Sequence, residues 1–389
     1  MPAGERSYLD HNATSPLRPE AAEAMARALA LPGNASSVHA EGRAARAVIE
    51  AARERVAALV GAAAKQVIFT SGGTEAANTV LSPAFRRAGE AGGDLLLAGA
   101  AEHPCILDGH RYPPAALERI PVGADGTVDL AWLAARLERT EGRALVSVQA
   151  ANNETGILQP VAAAAALARA RGGLAHTDAV QAAGRVPLDM AALGVDALTL
   201  SAHKLGGPKG VGAIVLASER LEIADRLVRG GGQERGYRAG TENVAAIAGF
   251  GAAAAAVGLR LAEEGARIAA LRDAAEAALR RIAPDAVVFG AGAPRLPNTF
   301  AFAVPGLRAE TALIAFDLAG VALSSGSACS SGKVKRSHVL QAMGVEPALA
   351  EGAIRVSLGW NSTEEDVFRF AKACESVLAS LYRRRANAA

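Results

Sequence analysis

The sequence predicts an α/β protein whose mostly parallel sheet is covered by helices on both faces, with a smaller α+β unit after it. Between residues 67 and 216, short apolar runs alternate with polar turns and Ala-rich helical stretches, which is the pattern of consecutive βα units. From about residue 244 a long helical stretch is followed by short strands and helices. We therefore expect a large domain at 15–255 and a small domain made of 1–14 and 256–389.

The composition is that of a globular protein without a large charged surface. Of the 389 residues, 51% are hydrophobic and 21% are charged, and the formal net charge is +2. The length allows two domains of ordinary size. The basic clusters, such as Lys333, Lys335 and Arg336, are short, and clusters of this size are usually solvent-exposed surface. We therefore expect no nucleic-acid partner and no anionic membrane surface.

The cysteines and the start of the chain indicate a reducing compartment. Cys105, Cys329 and Cys374 form no CxxC pair and cannot make a disulfide framework, and the histidines lack zinc-ligand spacing. No apolar signal segment follows Met1, and no uninterrupted apolar run is long enough to cross a bilayer. These observations predict a cytoplasmic protein without a dedicated metal site.

The helices and strands follow from hydrophobic periodicity and turn residues, in chain order. A first helix is expected from Pro19 to Leu29, since proline suits the first turn, and a second between the loop at 33–37 and Gly61. Strands are expected at 67–70, 95–98, 144–148, 174–177, 196–200 and 212–216. The later elements expected are helices at 244–282, 309–318, 337–343 and 363–382 and strands at 299–304, 321–323 and 354–358.

Polar turns of unusual composition follow the carboxyl ends of these strands, where open α/β sheets bind ligands. Lys204 comes directly after the strand at 196–200 and before a Gly- and Pro-rich turn at 205–210. Burial there would disfavour the ammonium form and leave an amine that can attack a carbonyl. On these residues alone, a surface lysine in a loop is the alternative.

Two further turns narrow the chemistry. Ser71-Gly72-Gly73-Thr74 lies between a strand and a helix, where backbone N–H groups hold anions, and it fits neither the P-loop nor the GxGxxG spacing. Asp178 at a strand end is either a helix N-cap or an acidic partner for a pyridinium nitrogen. Pyridoxal phosphate needs a lysine, an acid and a phosphate cradle, so it suits all three turns. His103 would then cover the ring and shuttle protons, unless it is only a satisfied loop histidine.

Taken together, the turn motifs resemble the cysteine desulfurases, which are pyridoxal-phosphate enzymes of the class V aminotransferase family. The matching segments are SGGTE at 71–75, EHP at 102–104, NNETG at 152–156, DAVQ at 178–181, SAHK at 201–204 and SSGSAC at 324–329. The resemblance extends from Tyr8 to Gly359 and is closest to the iron–sulfur-cluster and nitrogen-fixation branch. It implies the type I aminotransferase fold with a sheet of seven strands, a homodimer, L-cysteine as substrate, and a sulfur acceptor or iron–sulfur scaffold protein as partner.

The resemblance also implies a role for each matched residue. Lys204 would carry the cofactor as a Schiff base and move a proton between the substrate Cα and the cofactor, while His103 would stack on the ring. The other implied cofactor contacts are Asp178 to the pyridine nitrogen, Gln181 to the phenolic oxygen with Asn153 beside it, Gly73, Thr74, Ser201 and His203 to the phosphate, and Thr241 from a second subunit. The implied substrate contacts are Arg355, which would clamp the carboxylate, and Asn153, Asn34 and Asn12.

Cys329 is the candidate sulfur carrier. A lone cysteine is usually a small buried hydrophobe, but the neighbours of Cys329 are serine and glycine, and the nearby basic residues favour the thiolate. Cys105 and Cys374 have apolar neighbours and are expected to be inert. In the family, a long segment around this cysteine marks the branch that passes its sulfur to a scaffold protein, whereas a short Arg-x-Gly-x-x-Cys loop marks the other branch. We therefore expect conversion of L-cysteine to L-alanine, with a persulfide on Cys329 that serves iron–sulfur cluster assembly or thiolation.

Two other functions fit parts of the sequence. A selenocysteine lyase or an aminotransferase of the same class would use Lys204 and leave Cys329 a bystander. A non-catalytic assembly subunit would keep the fold without the chemistry. The polar surroundings of Cys329 argue against the first function, and the joint presence of Lys204, Asp178, His103 and Cys329 argues against the second.

Overall fold

A computed structural model describes residues 6–325 and 336–388. Its strands, labelled in chain order, are β1 Ser7–Tyr8, β2 Val67–Thr70, β3 Phe85–Arg87, β4 Leu95–Gly99, β5 Leu117–Ile120, β6 Ala144–Ser147, β7 Leu174–Asp178, β8 Ala197–Ser201, β9 Gly212–Leu216, β10 Leu221–Ile223, β11 Val287–Val288, β12 Thr299–Ala303, β13 Val321–Ala322 and β14 Ile354–Ser357.

The helices of the same residues are α1 Pro19–Leu29, α2 Ala40–Leu59, α3 Gly73–Val80, α4 Pro104–Leu107, α5 Leu130–Glu138, α6 Val161–Ala170, α7 Met190–Leu193, α8 Val244–Ile282, α9 Ala309–Leu318, α10 His338–Ala342, α11 Pro347–Ala350 and α12 Glu364–Ala388. Short 3₁₀ turns lie at Ala64–Gln66, Pro114–Ala116, Ala202–Lys204 and Gln233–Gly236. The predicted strands and long helices are confirmed to within a few residues at their ends.

The large sheet of the described chain has seven strands in the order β2-β9-β8-β7-β6-β4-β5. Strands β5, β4, β6, β7 and β8 pair in parallel, whereas β9 runs antiparallel to both β8 and β2. The strands point their side chains alternately to two buried faces. Val67 and Phe69 of β2 join the core formed with α2 and α8, while Ile68 joins the core formed with α3. The predicted mostly parallel, two-sided sheet is confirmed.

This topology brings the carboxyl ends of β2, β4, β6, β7 and β8 to one edge of the sheet. The segments that follow these strands carry most of the predicted site residues, including His103, Asp178 and Lys204. At this edge α3 begins close to β9. A Cβ on Gly212 would lie 2.5 Å from the carbonyl carbon of Gly72, so only glycine permits the approach.

A second core lies beyond the large sheet. It is formed around the antiparallel sheet β11-β12-β14 and the parallel pair β1-β13. Phe300, Phe302, Phe316 and Phe370 lie at its centre as a cluster of fully buried rings. Helix α8 contributes to both cores, so the predicted boundary at residue 255 falls inside one continuous helix. The division into domains stays a prediction.

By length and composition, α8 is long and apolar enough to cross a membrane. The sequence prediction that no apolar run could cross a bilayer did not identify this helix. However, 61% of its most apolar stretch is buried inside the protein. Phe250 and Val257 of this helix pack in the large core beside α1 and α2. An apolar helix of this kind is also what the interior of a large domain requires.

Candidate active site

A cavity of about 650 Å³ opens at the carboxyl edge of the large sheet. It is lined by residues from the strand-end loops, from the segment after β1, and from β14 of the smaller unit. The predicted site residues that line it are Asn12, Gly73, Thr74, His103, Asn153, Asp178, Gln181, Ser201, His203, Lys204 and Arg355. The structure therefore gathers residues that are more than 300 positions apart in the chain, while the roles assigned to them stay predictions.

Two of the predicted residues that the structure describes, Asn34 and Thr241, do not line the cavity. Asn34 is exposed, and its side-chain oxygen accepts a hydrogen bond from the backbone N–H of Ser36 at 2.8 Å. Thr241 is also exposed, in the loop before α8. It was predicted to act in a second subunit. Cys329 lies outside the described residues.

Lys204 ends the 3₁₀ turn that follows β8 and reaches into the cavity. Its Nζ donates hydrogen bonds to the carbonyl oxygens of Asn12 at 2.5 Å and Ala13 at 2.9 Å. These two carbonyls belong to the segment after β1, so the lysine joins the sheet edge to the start of the chain. The side-chain amine of Lys204 is therefore held at the cavity, at the strand-end position where the sequence predicted a ligand site.

Asp178 is the last residue of β7, and its side chain is buried at the wall of the cavity. Burial raises the pKa of this carboxyl to about 6, although a hydrogen bond from the Val180 N–H and the charge of Lys204 act in the opposite direction. A buried cation beside Asp178 would stabilise its ionised form. A protonated pyridine nitrogen is such a cation, so the site fits the ring nitrogen of pyridoxal phosphate.

Glu102 is a second buried carboxyl that sequence reasoning used only as part of a motif. Burial raises its pKa well above the usual range, and the charge of Asp178 raises it further. One oxygen accepts a hydrogen bond from the Gln149 N–H at 2.5 Å, and the other has no partner among the described residues. Two neighbouring buried carboxyls cannot both ionise easily. Glu102 is therefore the neutral member and Asp178 the one that ionises.

His103 caps α4 and faces the cavity. Its Nδ1 accepts a hydrogen bond from the Cys105 N–H at 3.1 Å, so the proton of the neutral ring is on Nε2. Burial lowers the pKa of this imidazole to about 4, with the positive charges of Lys204 and His338 adding to the effect. The ring is neutral at physiological pH and can cover an aromatic ligand without introducing charge.

The start of α3 forms a cradle for an anion. Gly73 and Thr74 stand in the first turn, where backbone N–H groups of a helix lack intrahelical partners. A Cβ on Gly73 would lie 2.9 Å from Cγ2 of Val180 and 3.4 Å from Cβ of Ser201, so a side chain would close the gap. The neighbouring His203 is fixed by a 3.1 Å hydrogen bond between its Nδ1 and Oγ1 of Thr14. These donors fit a phosphate monoester.

Arg355 enters the cavity from β14 and is 2% exposed. Its Nη2 donates to Oδ1 of Asp10 at 2.7 Å, and its Nη1 donates to the Asn153 carbonyl at 3.0 Å. The Nε–H is buried and has no acceptor among the described residues. An unsatisfied buried donor on a fixed guanidinium is a position where a ligand carboxylate can bind.

Asn12 lines the cavity, and its predicted substrate contact stays a prediction. Its side chain is tied into the buried network between the two units, donating to Oγ1 of Thr299 at 2.9 Å and to the carbonyl of Asn153 at 3.1 Å. The atom of Asn12 that faces Lys204 is its main-chain oxygen.

The segments on either side of residues 326–335 attach to the rim of this cavity. Ser324 pairs with Arg355 in an isolated bridge, with the Arg355 N–H donating to the Ser324 carbonyl at 2.7 Å. On the other side, Ser337 donates to Oε2 of Glu154 at 2.5 Å, and Nε2 of His338 donates to the carbonyl of Glu102 at 2.8 Å. The flanks of the segment that contains Cys329 are therefore fixed beside the site.

Comparison with known proteins agrees with this geometry. The profile of the family Aminotransferase class-V matches residues 7–370. The IscS-like cysteine desulfurase of Mycobacterium tuberculosis is 40% identical over 368 residues, which cover 93% of each chain. This chain belongs to the cysteine desulfurase group of the class V aminotransferases.

Other cysteine desulfurases and solved structures extend the likeness over the whole chain. The enzyme named cysteine desulfurase from Cereibacter sphaeroides is 42% identical and covers 97% of each chain. The structure of a NifS-like protein from Rickettsia africae superposes with a TM-score of 0.87 at 35% identity, covering 96% of this chain and 100% of that one. The family and the fold that the sequence motifs predicted are confirmed.

In this cysteine desulfurase chain, several residues that shape the site escaped sequence reasoning. Asp10 lies in the matched segment that begins at Tyr8, and Glu154 lies in the NNETG motif, but nothing in the sequence indicated which residues they contact. Arg185 lies just after the DAVQ motif, and the only sequence feature that could have pointed to it is its positive charge close to the predicted cavity residue Gln181. Their contacts come from distant segments, so no local pattern could reveal them.

Proposed function

We propose that this protein is a pyridoxal-phosphate-dependent sulfurtransferase that converts L-cysteine to L-alanine and receives the sulfur on Cys329. The observation that carries the proposal is a single cavity lined by Lys204, Asp178, His103 and Arg355. The reaction is balanced without a further reagent, because L-cysteine and the enzyme thiol give L-alanine and an enzyme persulfide. The persulfide then passes to an acceptor for iron–sulfur cluster assembly or thiolation.

The residues of the cavity fit the cofactor at three points: the amine of Lys204, the carboxyl of Asp178 and the cradle at Gly73. When bound, pyridoxal phosphate supplies an electron sink for the substrate Cα. Lys204 then removes and returns the proton at Cα. Asp178 holds the proton of the pyridine nitrogen, and its buried position makes that pairing strong. His103 covers the ring as a neutral imidazole and holds a proton on Nε2.

Arg355 orients the substrate through its carboxylate. Its guanidinium is held by Asp10 and by the Asn153 carbonyl, so the orientation of its unpaired Nε–H is fixed before the substrate binds. Holding the carboxylate fixes Cα relative to Lys204, which is the atom pair between which the proton moves. Amines without a carboxylate lose this contact.

Cys329 acts as the nucleophile toward the sulfur of the substrate. It lies four positions after Ser325, whose neighbour Ser324 pairs with Arg355. A fully extended chain spans about 3.5 Å per residue, so Cys329 is tethered within about 14 Å of Ser325. This covalent limit supports attack by the Cys329 thiolate on a substrate that Arg355 holds.

We further propose a homodimer in which Thr241 completes the phosphate site of the second subunit. Thr241 is exposed and does not line the cavity of its own chain, which suits a residue given to a partner. A reducing, cytoplasmic location belongs to the same proposal, because the thiol of Cys329 must stay reduced to accept sulfur.

The proposal is tested with Cys329→Ala beside Cys374→Ala as the matched control, since Cys374 lies in the second core and does not line the cavity. Each purified variant is loaded with pyridoxal phosphate and given L-cysteine, and three quantities are measured: protein persulfide, alanine, and the change of the cofactor absorption. Cys329→Ala should retain the absorption change and form no persulfide, while Cys374→Ala should behave like the native protein.

Two outcomes would overturn the proposal. Full turnover of L-cysteine by Cys329→Ala would make that cysteine a bystander, as in a lyase or an aminotransferase. Absence of cofactor absorption and of any response to L-cysteine in the native protein would indicate a non-catalytic subunit. Light scattering, with Thr241→Ala assayed for cofactor binding, tests the dimer separately.

A further inference from the structure

Arg185 is a cation beside the cavity that the proposed chemistry does not use. Burial lowers the pKa of its guanidinium to about 9, with repulsion from Arg355 contributing, so it remains charged at neutral pH. No ion pair joins it to a carboxylate among the described residues. Its hydrogen bonds run instead to uncharged oxygens, at the Gln181 carbonyl at 2.9 Å, the Gln181 side-chain oxygen, the His11 carbonyl at 3.3 Å and the Lys204 carbonyl at 3.4 Å.

The contact with Gln181 decides the orientation of an amide. A guanidinium donates hydrogen bonds and accepts none, so the amide atom of Gln181 that faces Arg185 must be Oε1. The amide nitrogen then points the other way, where Nε2 donates to the Asn12 carbonyl at 3.1 Å. That nitrogen carries a second N–H, and Gln181 lines the cavity. Arg185 therefore leaves the second N–H of Gln181 as the hydrogen-bonding group that this amide can offer to the cavity.

A fixed donor matters because an amide can flip. An unconstrained glutamine could present either its oxygen or its nitrogen to the cavity, and an oxygen would repel an anionic ligand oxygen. Arg185 removes that choice, and its charge adds to those of Arg355 and Lys204 around the same cavity. Both effects favour a negatively charged oxygen beside Gln181.

We propose that Arg185 is a positioning residue that fixes the amide of Gln181 as a hydrogen-bond donor to the phenolic oxygen of pyridoxal phosphate. This inference rests on the proposed function, since it requires that the cavity binds this cofactor. Arg185 acts through Gln181 and needs no contact with the cofactor itself. Its effect should therefore disappear when Gln181 cannot hydrogen-bond.

The test is a double-mutant cycle of Arg185→Gln and Gln181→Leu, with Arg171→Gln as the control. Arg171 is exposed and pairs only with Glu138 among the described ion pairs. Apo-protein is titrated with pyridoxal phosphate for the dissociation constant, and the absorption spectrum of the loaded protein is recorded. Arg185→Gln should weaken cofactor binding about tenfold and shift the visible band, as expected for the loss of one hydrogen bond to a charged oxygen.

The cycle separates positioning from general support of the fold. In the Gln181→Leu background, Arg185→Gln should change neither the dissociation constant nor the spectrum further. Additive effects of the two substitutions would overturn the inference. Arg185→Lys keeps the charge and one donor, so it should give an intermediate spectrum, and it serves the same cycle if Arg185→Gln does not fold.

The outcomes distinguish this inference from the function on which it rests. If the native protein does not bind pyridoxal phosphate, the proposed function fails. If the native protein binds it and Arg185→Gln leaves affinity and spectrum unchanged, only the role of Arg185 is refuted.

Discussion

Arg355 should distinguish substrates that carry a carboxylate from amines that do not. The side chain is 3% exposed and is held by Asp10 and by the Asn153 carbonyl, which leaves its Nε–H without an acceptor among the described residues. The perturbation is Arg355→Gln, compared with the native protein on L-cysteine and on cysteamine, which is L-cysteine without its carboxylate. Only L-cysteine can satisfy the unpaired donor.

The size of the effect follows from that one unsatisfied donor. Two of the three guanidinium nitrogens already donate and Nε does not, so binding of a carboxylate gains at least one new charge-assisted hydrogen bond. Such a bond contributes about 1.5–3 kcal/mol, which corresponds to about 10- to 150-fold in kcat/KM. We expect Arg355→Gln to lower kcat/KM for L-cysteine by this factor and to leave the value for cysteamine nearly unchanged.

The assay is steady-state release of sulfide in the presence of a thiol reductant, with both substrates on both proteins. Asp10→Asn is measured beside Arg355→Gln, because removing the arginine also leaves Asp10 without its partner at 2.7 Å. Recording the melting temperature of each variant shows whether the fold is intact. An equal fall in kcat/KM for both substrates would refute the carboxylate contact.

Two further expectations concern buried ionisable side chains around the large sheet. His176 is fully buried between Ser147 and Thr199, and burial lowers its pKa to about 3, below the 6.5 of an unfolded chain. The neutral imidazole therefore contributes to stability above pH 6.5, and this contribution is lost as the pH falls toward 3. In urea titrations at pH 8 and pH 5, the free energy of unfolding of the native protein should fall by about 2 kcal/mol more than that of His176→Gln. Parallel stability curves would contradict this. Glu234 binds the buried Arg53 at 2.7 Å and accepts from the Phe69 N–H at 2.8 Å, so Glu234→Ala should cost about 3–5 kcal/mol in the same titration, and a loss below 1 kcal/mol would be the opposing result.

The parts of the fold that could be predicted are those with strong local patterns. Helix α1 matches its prediction residue for residue because Pro19 and the apolar spacing mark both ends. Strands β1, β3, β5, β10 and β11 were missed. β5 buries only Ile120 fully, at the edge of the sheet, and so lacks the continuous apolar run of its neighbours. β3 and β10 are three residues each and are stabilised only by pairing with one another.

The site divides in the same way. The strand-end residues proposed to perform chemistry could be found because lysine, aspartate and histidine are unusual there. Residues that orient them could not, since their importance depends on a partner from another segment. Arg185 meets His11 across 174 positions, and Asp10 meets Arg355 across 345. The neutral state of Glu102 arises only from complete burial beside Asp178, which composition cannot report.

The contacts of the segments that flank residues 326–335 support the proposal that Cys329 acts on a substrate held in the same cavity. On one side Ser324 pairs with the backbone of Arg355, the residue proposed to hold the substrate carboxylate. On the other side His338 contacts the carbonyl of Glu102, which directly precedes His103, and Ser337 contacts Glu154 in the motif that contains Asn153. Any displacement of these anchors therefore also displaces a residue of the cavity. A substitution such as Ser337→Ala, which removes the bond to Glu154 and the cap of α10, should for this reason lower the rate of persulfide formation more than it weakens cofactor binding.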